Sequence, residues 1–221
     1  YTEAWAYLAE ARWHLGEADW PVLQRAYELD PESPVVRSLM ALYFRRHQQP
    51  ENALEIYRKL AQEFPAQAVW LAEMGNTFAE QGNLMDGLAY LNNAVQIEPK
   101  NPQNWAALAA FSYNFQVDVE KTGLPAAEKY LELSPEDPLA MDQVGLGKLL
   151  LQDFIGAESY FLNAISIDAQ LTQAYLHLGQ AYLGQGRFQE AQMALETVLE
   201  QGGASMDNAR RLLQYYFPDS H

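Results

Sequence analysis

Residues 172–205 read TQAYLHLGQAYLGQGRFQEAQMALETVLEQGGAS, and this stretch decides the fold. Large apolar side chains recur in it at the i, i+3 and i+7 spacing of a helix that is buried along one face. The segment Gly184–Gly186 separates two such helices. A helix of only about 12 to 14 residues is not stable alone, so it must bury its apolar face against neighbours. The stretch therefore predicts two short helices that pack against each other.

The same arrangement recurs along the chain at a fixed spacing of 34 residues. The matching pairs are Gly145 and Gly179, Phe154 and Phe188, Ala157 and Ala191, Phe161 and Leu195, Ala41 and Gly75, Phe44 and Phe78, Ala53 and Gly87, Tyr57 and Leu91, and Pro65 and Pro99. These matches come from two independent pairs of repeats. A fixed period of this length predicts an array of stacked helix pairs.

The residues at these spacings are those of a known family. They are Tyr175, Leu178, Gly179, Tyr182, Gly186, Ala191, Leu195 and Val198, and with them the chain resembles a tetratricopeptide repeat protein. The resemblance implies an all-α fold, a right-handed superhelical solenoid whose first helices line a concave groove. It also implies that Gly145 and Gly179 are packing positions. Glycine inside a helix costs about 1 kcal/mol relative to alanine, a cost that close approach of the second helix can offset.

The period predicts one domain of about six repeats and a C-terminal capping helix. The repeats span residues 2–33, 34–67, 68–101, 102–137, 138–171 and 172–205, and the capping helix spans residues 206–217. In the short first repeat, Asp19 is expected to cap the second helix and Pro21 to lie in its first turn. In the longer fourth repeat, Gln116–Gly123 replaces the usual short turn, and Pro125 is expected at the start of a shortened second helix.

Composition excludes several classes of function. The 221 residues carry a net charge of −15, which repels phosphate backbones and argues against a nucleic-acid partner. The absence of cysteine excludes disulfides and thiolate chemistry. The apolar runs are far shorter than the roughly 18 residues of a membrane span, so no membrane insertion is expected. The first residue is not Met, so we expect this chain to be a piece of a longer protein. Its location stays open: it could be cytoplasmic, or it could be the extracytoplasmic part of an anchored protein.

The sequence contains no motif that indicates catalysis. Zinc-protease, phosphate-loop and nucleophile-elbow patterns are absent, and the four histidines, His14, His47, His177 and His221, are isolated in sequence. We therefore expect no catalytic residue, no metal and no cofactor. The resemblance then implies a non-catalytic scaffold that binds a peptide or a partner helix in the groove.

The resemblance places the candidate binding residues on the first helices. The predicted groove residues are Asn76, Gln103, Tyr113, Leu139, Asp142, Leu146, Leu150, Gln173, Leu176 and Gln180. Arg37, Ser38, Arg45 and Val69 extend the groove toward the N-terminus. Relatives that grip a C-terminal carboxylate use Lys, Arg and Asn in three consecutive repeats, and here only Asn76 is of the right type. A carboxylate clamp is therefore not expected.

The leucines of this predicted groove favour an amphipathic helix or an apolar strand, with basic groups on the partner meeting acidic rims. Three alternatives stay open. Leu146 and Leu150 would serve equally well to pack against the next repeat. The chain could self-associate through its end faces or through Tyr215–Phe217. It could also be the regulatory or substrate-recruiting segment of a larger enzyme.

Overall fold

The computed structural model describes residues 2–218, and that part of the chain consists of helices and their connections. It forms two compact units, residues 1–98 (unit 1) and residues 99–221 (unit 2). Unit 1 contains α1 Thr2–His14, α2 Trp20–Leu29, α3 Pro34–Arg46, α4 Pro50–Glu63, α5 Val69–Glu80 and α6 Leu84–Ile97. Unit 2 contains α7 Pro102–Phe115, a π-helical turn Val119–Gly123, α8 Leu124–Leu133, α9 Pro138–Leu150, α10 Phe154–Ile167, α11 Thr172–Gly184, α12 Phe188–Gln201 and α13 Met206–Tyr216. The prediction of an all-α array of helix pairs is confirmed, while the prediction of one domain stays a prediction.

Proline and short polar side chains set where the helices begin. Proline is the first residue of α3, α4, α7 and α9, where its missing N–H would have no helical partner. The carboxylate of Asp137 accepts a hydrogen bond from the backbone N–H of Leu139 at 2.9 Å. Asp153 caps α10 in the same way by accepting from Gly156 N at 2.9 Å. These caps satisfy backbone donors that the first helical turn leaves unpaired.

The prediction that the Asp19 side chain caps α2 is wrong. Pro21 lies in the first turn as predicted, but the Asp19 side chain accepts no capping hydrogen bond from the described residues. Its backbone has φ −95° and ψ −32°, already in the helical region. A capping side chain normally needs an extended backbone at this position to reach the next N–H groups.

Two glycines show why the repeat needs a small residue on its first helix. A Cβ atom on Gly145 would lie 2.5 Å from the Phe161 ring, and one on Gly179 would lie 2.9 Å from the Leu195 side chain. Either contact is closer than real Cβ atoms allow. The glycines therefore let the second helix of the repeat approach, as the sequence predicted.

The long connection of the fourth repeat is partly helical. Gln116 and Asp118 have positive φ, and the π-helical turn that follows runs directly into α8. Asp118 accepts a hydrogen bond from the Thr122 hydroxyl at 2.6 Å, which ties the start of this turn to its end. Pro125 lies in the first turn of α8, as predicted.

Each unit has its own apolar core. In unit 1, Leu23 and Val36 are buried between α1, α2 and α3, and Tyr57 and Met74 are buried between α4 and α5. In unit 2, Phe161 and Leu178 pack between α10 and α11, and Leu195 packs with Leu213 where α12 meets α13. Burial of these faces supplies the stability that helices of this length lack alone.

Candidate functional site

The structure places the predicted groove residues in three environments. Asn76, Gln103, Leu139 and Leu150 are exposed, Leu146, Gln173 and Gln180 are partly buried, and Tyr113, Asp142 and Leu176 are buried. Exposed and partly buried side chains are accessible to a partner. The three buried ones are not accessible in this structure, and each has a packing role described below.

An apolar pocket lies in unit 2 on the surface of α9, α11 and α13. Its volume is about 420 Å³. The lining residues are Leu149, Leu150, Gln180, Leu183, Gly184, Leu212 and Tyr216. Two predicted groove residues, Leu150 and Gln180, therefore meet in one pocket. Side chains of a partner could bury apolar surface here against leucine from three helices.

The terminal helix supplies two residues of this pocket that sequence reasoning assigned elsewhere. Leu212 and Tyr216 lie on α13, which was predicted to cap the last repeat, with Tyr215–Phe217 as a candidate self-association surface. The spacing of its apolar residues shows that α13 has an apolar face. It does not show that part of this face continues past α12 to line a pocket with α9 and α11.

Asp142 joins two predicted groove residues into a buried polar cluster in unit 2. Its side chain lies on α9 and is fully buried. One carboxylate oxygen accepts a hydrogen bond from Gln173 Nε2 at 2.6 Å, and the other lies 2.8 Å from His177 Nδ1. The His177 ring also packs against Phe161, with centroids 5.6 Å apart. The cluster therefore links α9 to α11 from within.

Tyr113 and Leu176 are packing residues of unit 2. The Tyr113 hydroxyl is buried without a hydrogen-bond partner among the described residues and lies against the backbone of Gly147. Burial, and then the negative charge of Glu128, raise the pKa of Tyr113 above its usual range. Leu176 belongs to the cluster that closes the C-terminal end of the unit with Val198 and Leu213.

In unit 1, the two arginines predicted for the groove are bound by carboxylates. Arg37 donates to Glu63 through both terminal nitrogens, one of them at 2.9 Å. Arg45 donates to Glu80 through Nε at 3.2 Å and also bonds Glu73. Burial of the Arg45 guanidinium acts to lower its pKa, but the bonds from these carboxylates raise the pKa overall. Both arginines therefore tie helices together.

A second cavity lies in unit 1 beside Arg45, between α3, α4 and α5. Its volume is about 240 Å³. Leu39, Leu42 and Val69 form apolar walls, and the aromatic rings of Tyr57 and Trp70 also line it. Ser38 and Glu73 are its polar lining residues. Burial, and then the charge of Glu73, raise the pKa of Tyr57 to about 12, so its hydroxyl stays protonated at neutral pH.

The described part of the chain offers no metal site and no membrane span. Nowhere in residues 2–218 do three His, Cys, Asp or Glu side chains come close enough together to hold a metal ion. None of the helices in this range combines the length and the hydropathy that crossing a bilayer requires.

Comparison with known proteins identifies the repeats. Models of the tetratricopeptide repeat match residues 39–66 and residues 172–201. Among curated proteins, human Protein O-mannosyl-transferase TMTC1 is 25% identical over 182 residues, which cover 80% of this chain and 20% of that protein. The chain thus spans about a fifth of the length of this relative.

Solved structures agree on the fold. The crystal structure of MamA is 21% identical and has a TM-score of 0.60, with 77% of this chain and 96% of that chain covered. The crystal structure of YrrB, described as a TPR protein with an unusual peptide-binding site, is 18% identical with a TM-score of 0.60 and covers 87% of this chain and 97% of that one. With the helix pairs, the period and the packing glycines, these matches show that the chain is a helical repeat protein of the tetratricopeptide type.

Proposed function

We propose that this chain is a non-catalytic protein-interaction scaffold that binds a peptide or a partner helix along the first helices of its repeats. The observation that carries the proposal is the apolar pocket of unit 2 formed by α9, α11 and α13. A pocket lined by leucine and tyrosine side chains suits the apolar anchors of an amphipathic helix. The peptide-binding site named for YrrB supports the same class of function.

The charge of unit 2 favours a basic partner. Residues 99–221 hold 7 Lys or Arg and 15 Asp or Glu, a net charge of −8. Apolar anchors would fill the pocket, while lysine or arginine side chains on the same partner would meet the surrounding negative charge. Added salt shortens the distance over which charges attract each other, to about 10 Å at 0.1 M ionic strength. Association should therefore be faster at low salt.

Peptide selection against the immobilised chain tests this proposal. A display library of 16-residue sequences, about the length of four to five helical turns, should yield amphipathic basic helices. Their dissociation constants are then measured by calorimetry on the wild type and on a variant with Leu150→Asp and Leu183→Asp. We expect at least a tenfold loss of affinity, because two charges would be buried under the anchors.

A matched control comes from the next helix. Ile155 lies on α10, is exposed and does not line the pocket. Ile155→Asp should therefore leave the affinity unchanged. Selected peptides that bind the Leu150 and Leu183 variant as tightly as the wild type would remove the pocket as the binding site. Circular dichroism of both variants confirms that their helices remain formed.

A second candidate function follows from the match to human Protein O-mannosyl-transferase TMTC1. We propose as an alternative that the chain is a regulatory or substrate-recruiting segment of a larger enzyme, since it corresponds to only 20% of that relative. If the full-length protein carries a transferase domain, deleting residues 1–221 should raise the KM for a protein acceptor. Turnover of a small acceptor should be unchanged, and equal losses for both acceptors would contradict recruitment.

Self-association is a third candidate, and the exposed apolar face of α1 favours it. Trp5 and Leu8 are exposed on this helix, and Leu15, in the turn that follows it, is 74% exposed. A dimer that buries these side chains would show a mass that rises with concentration in light scattering. Trp5→Ser with Leu8→Ser should then restore the monomer, whereas a constant monomer mass in the wild type excludes this candidate.

A further inference from the structure

The cavity between α3, α4 and α5 in unit 1 has the size of a single side chain. Its volume of about 240 Å³ is below the roughly 300 Å³ at which pockets for drug-sized ligands begin. Leu39, Leu42 and Val69 supply aliphatic walls, and Trp70 and Tyr57 supply aromatic ones. Such walls suit a long side chain with an aliphatic stem.

Trp70, one of the lining residues, carries a buried indole N–H. The residue is only 8% exposed, and its Nε1 atom is buried without a partner among the described residues. A buried indole N–H usually has an acceptor, because leaving it unpaired costs free energy. Because this atom is buried, a ligand in the cavity would meet the Trp70 ring and change the surroundings of its N–H without bonding it.

The charge at the cavity is negative. Glu73 is the charged residue of its lining, and Arg45, which bonds Glu73 from outside the lining, also bonds Glu80. Arg45 bonds Oε2 of Glu73, and no described residue donates to the other oxygen of that carboxylate. The Ser38 hydroxyl donates to Val35 O at 2.9 Å, so its oxygen remains an acceptor toward the cavity. The polar groups that a ligand would meet are thus mainly acceptors.

We propose that this cavity binds a lysine side chain of a partner peptide. The aliphatic stem lies against Leu39, Leu42 and Val69, and the ammonium group donates to Glu73. The aromatic rings of Trp70 and Tyr57 attract the same cation. The proposal deepens the proposed function by naming one recognised side chain, and it rests on that function only in taking a peptide as the partner.

The test follows the indole N–H signal of Trp70 in the intact chain labelled with ¹⁵N. Loss of one of the five tryptophan indole signals in Trp70→Phe assigns it. The probes are N-acetyl-lysine N-methylamide and its norleucine analogue, which has the same stem without the ammonium group. Probes of this size bind in the millimolar range. We expect the lysine probe to move the Trp70 signal saturably and the norleucine probe to bind at least about fivefold more weakly.

Two glutamate variants make the test specific. Glu73→Gln should weaken the lysine probe about fivefold and leave the norleucine probe unchanged. Glu55→Gln removes an exposed carboxylate of α4 that does not line the cavity, and it should change neither probe. A Trp70 signal that does not move, or one that moves equally with both probes, overturns the proposal. So does an unchanged lysine affinity in Glu73→Gln.

The failure of this proposal and that of the proposed function are distinguishable. The variant with Leu150→Asp and Leu183→Asp alters unit 2 alone and should keep the full response to the lysine probe. Selected peptides that lose affinity for that variant while the lysine probe leaves Trp70 unaffected would support the unit 2 pocket and overturn the lysine site. The reverse pattern would keep the lysine site and overturn the unit 2 pocket.

Discussion

The buried cluster of Asp142, Gln173 and His177 allows a quantitative test of how α9 is joined to α11. Asp142 is fully buried and has two side-chain hydrogen-bond partners, Gln173 at 2.6 Å and His177 at 2.8 Å. Changing His177 to alanine leaves a buried carboxylate with one donor. Removing one hydrogen-bond partner of a buried carboxylate in this way costs about 1–3 kcal/mol of the free energy of unfolding.

A second variant, Asp142→Asn, replaces the carboxylate by an uncharged amide of nearly the same shape. Asp142→Asn should cost about 1–3 kcal/mol, because the amide has one acceptor oxygen where the carboxylate has two, so one of the two hydrogen bonds is lost in its present form. In the double variant, His177→Ala no longer leaves a charge without a partner. The double variant should therefore cost about 1–3 kcal/mol less than the sum of the two single variants.

Urea unfolding followed by circular dichroism measures these costs at one fixed pH. Comparison of the unfolding midpoints is valid only where the slope with denaturant stays the same. Asp207→Asn is the matched control, since the Asp207 side chain is 87% exposed and should make little difference. Additive costs in the double variant would refute the reasoning, because they would mean that Asp142 and His177 stabilise the protein independently.

Three further predictions follow from the packing and the ion pairs. Gly145→Ala should destabilise the protein by about 1–3 kcal/mol despite the better helix propensity of alanine, because its Cβ would lie 2.5 Å from the Phe161 ring. The double variant with Phe161→Leu should lose less free energy of unfolding than the two single variants together. Additive losses would contradict the clash. The hydrogen bond from Arg46 lowers the pKa of Glu10 below its ordinary value of 4.5. This pair therefore stabilises the folded chain above pH 4.5, and the stabilisation is lost as the pH falls through the lower pKa of the folded state. Glu10→Gln should flatten the acid side of a plot of unfolding midpoint against pH, and an unchanged slope would exclude this contribution. We also propose that residues 1–221 unfold as one domain, so fluorescence and circular dichroism should report one coincident transition in urea, whereas two separated transitions would show independent domains.

The helices could be predicted from the sequence because local chemistry determines them. Proline at the first helical position and a fixed spacing of apolar residues are visible in the chain itself. The packing role of Gly145 and Gly179 was also visible, since a glycine inside a helix is costly unless another backbone or side chain approaches closely. The structure places Phe161 and Leu195 at these positions.

The state of single groove residues could not be predicted in the same way. Asp142 was expected to face a partner because it lies on a first helix at a groove position. It is buried because Gln173 and His177, 31 and 35 residues further on, cover it from the next first helix. Such a contact depends on how α9 and α11 are placed, and periodicity within one repeat carries no information about it. The pairing of Arg45 with Glu73 and Glu80 has the same origin.

The arginines of α3 are bonded by carboxylates within unit 1. Arg37, Arg45 and Arg46 bond carboxylates on α4, α5 and α1, respectively, and so they join α3 to its neighbours. Residues 1–98 hold 7 Lys or Arg and 14 Asp or Glu, a net charge of −7. Even if every basic group pairs with one carboxylate, half of the carboxylates remain without a basic partner from this unit. Positive charge that neutralises them has to come from ions or from a partner, and for this reason we expect added salt to weaken partner binding.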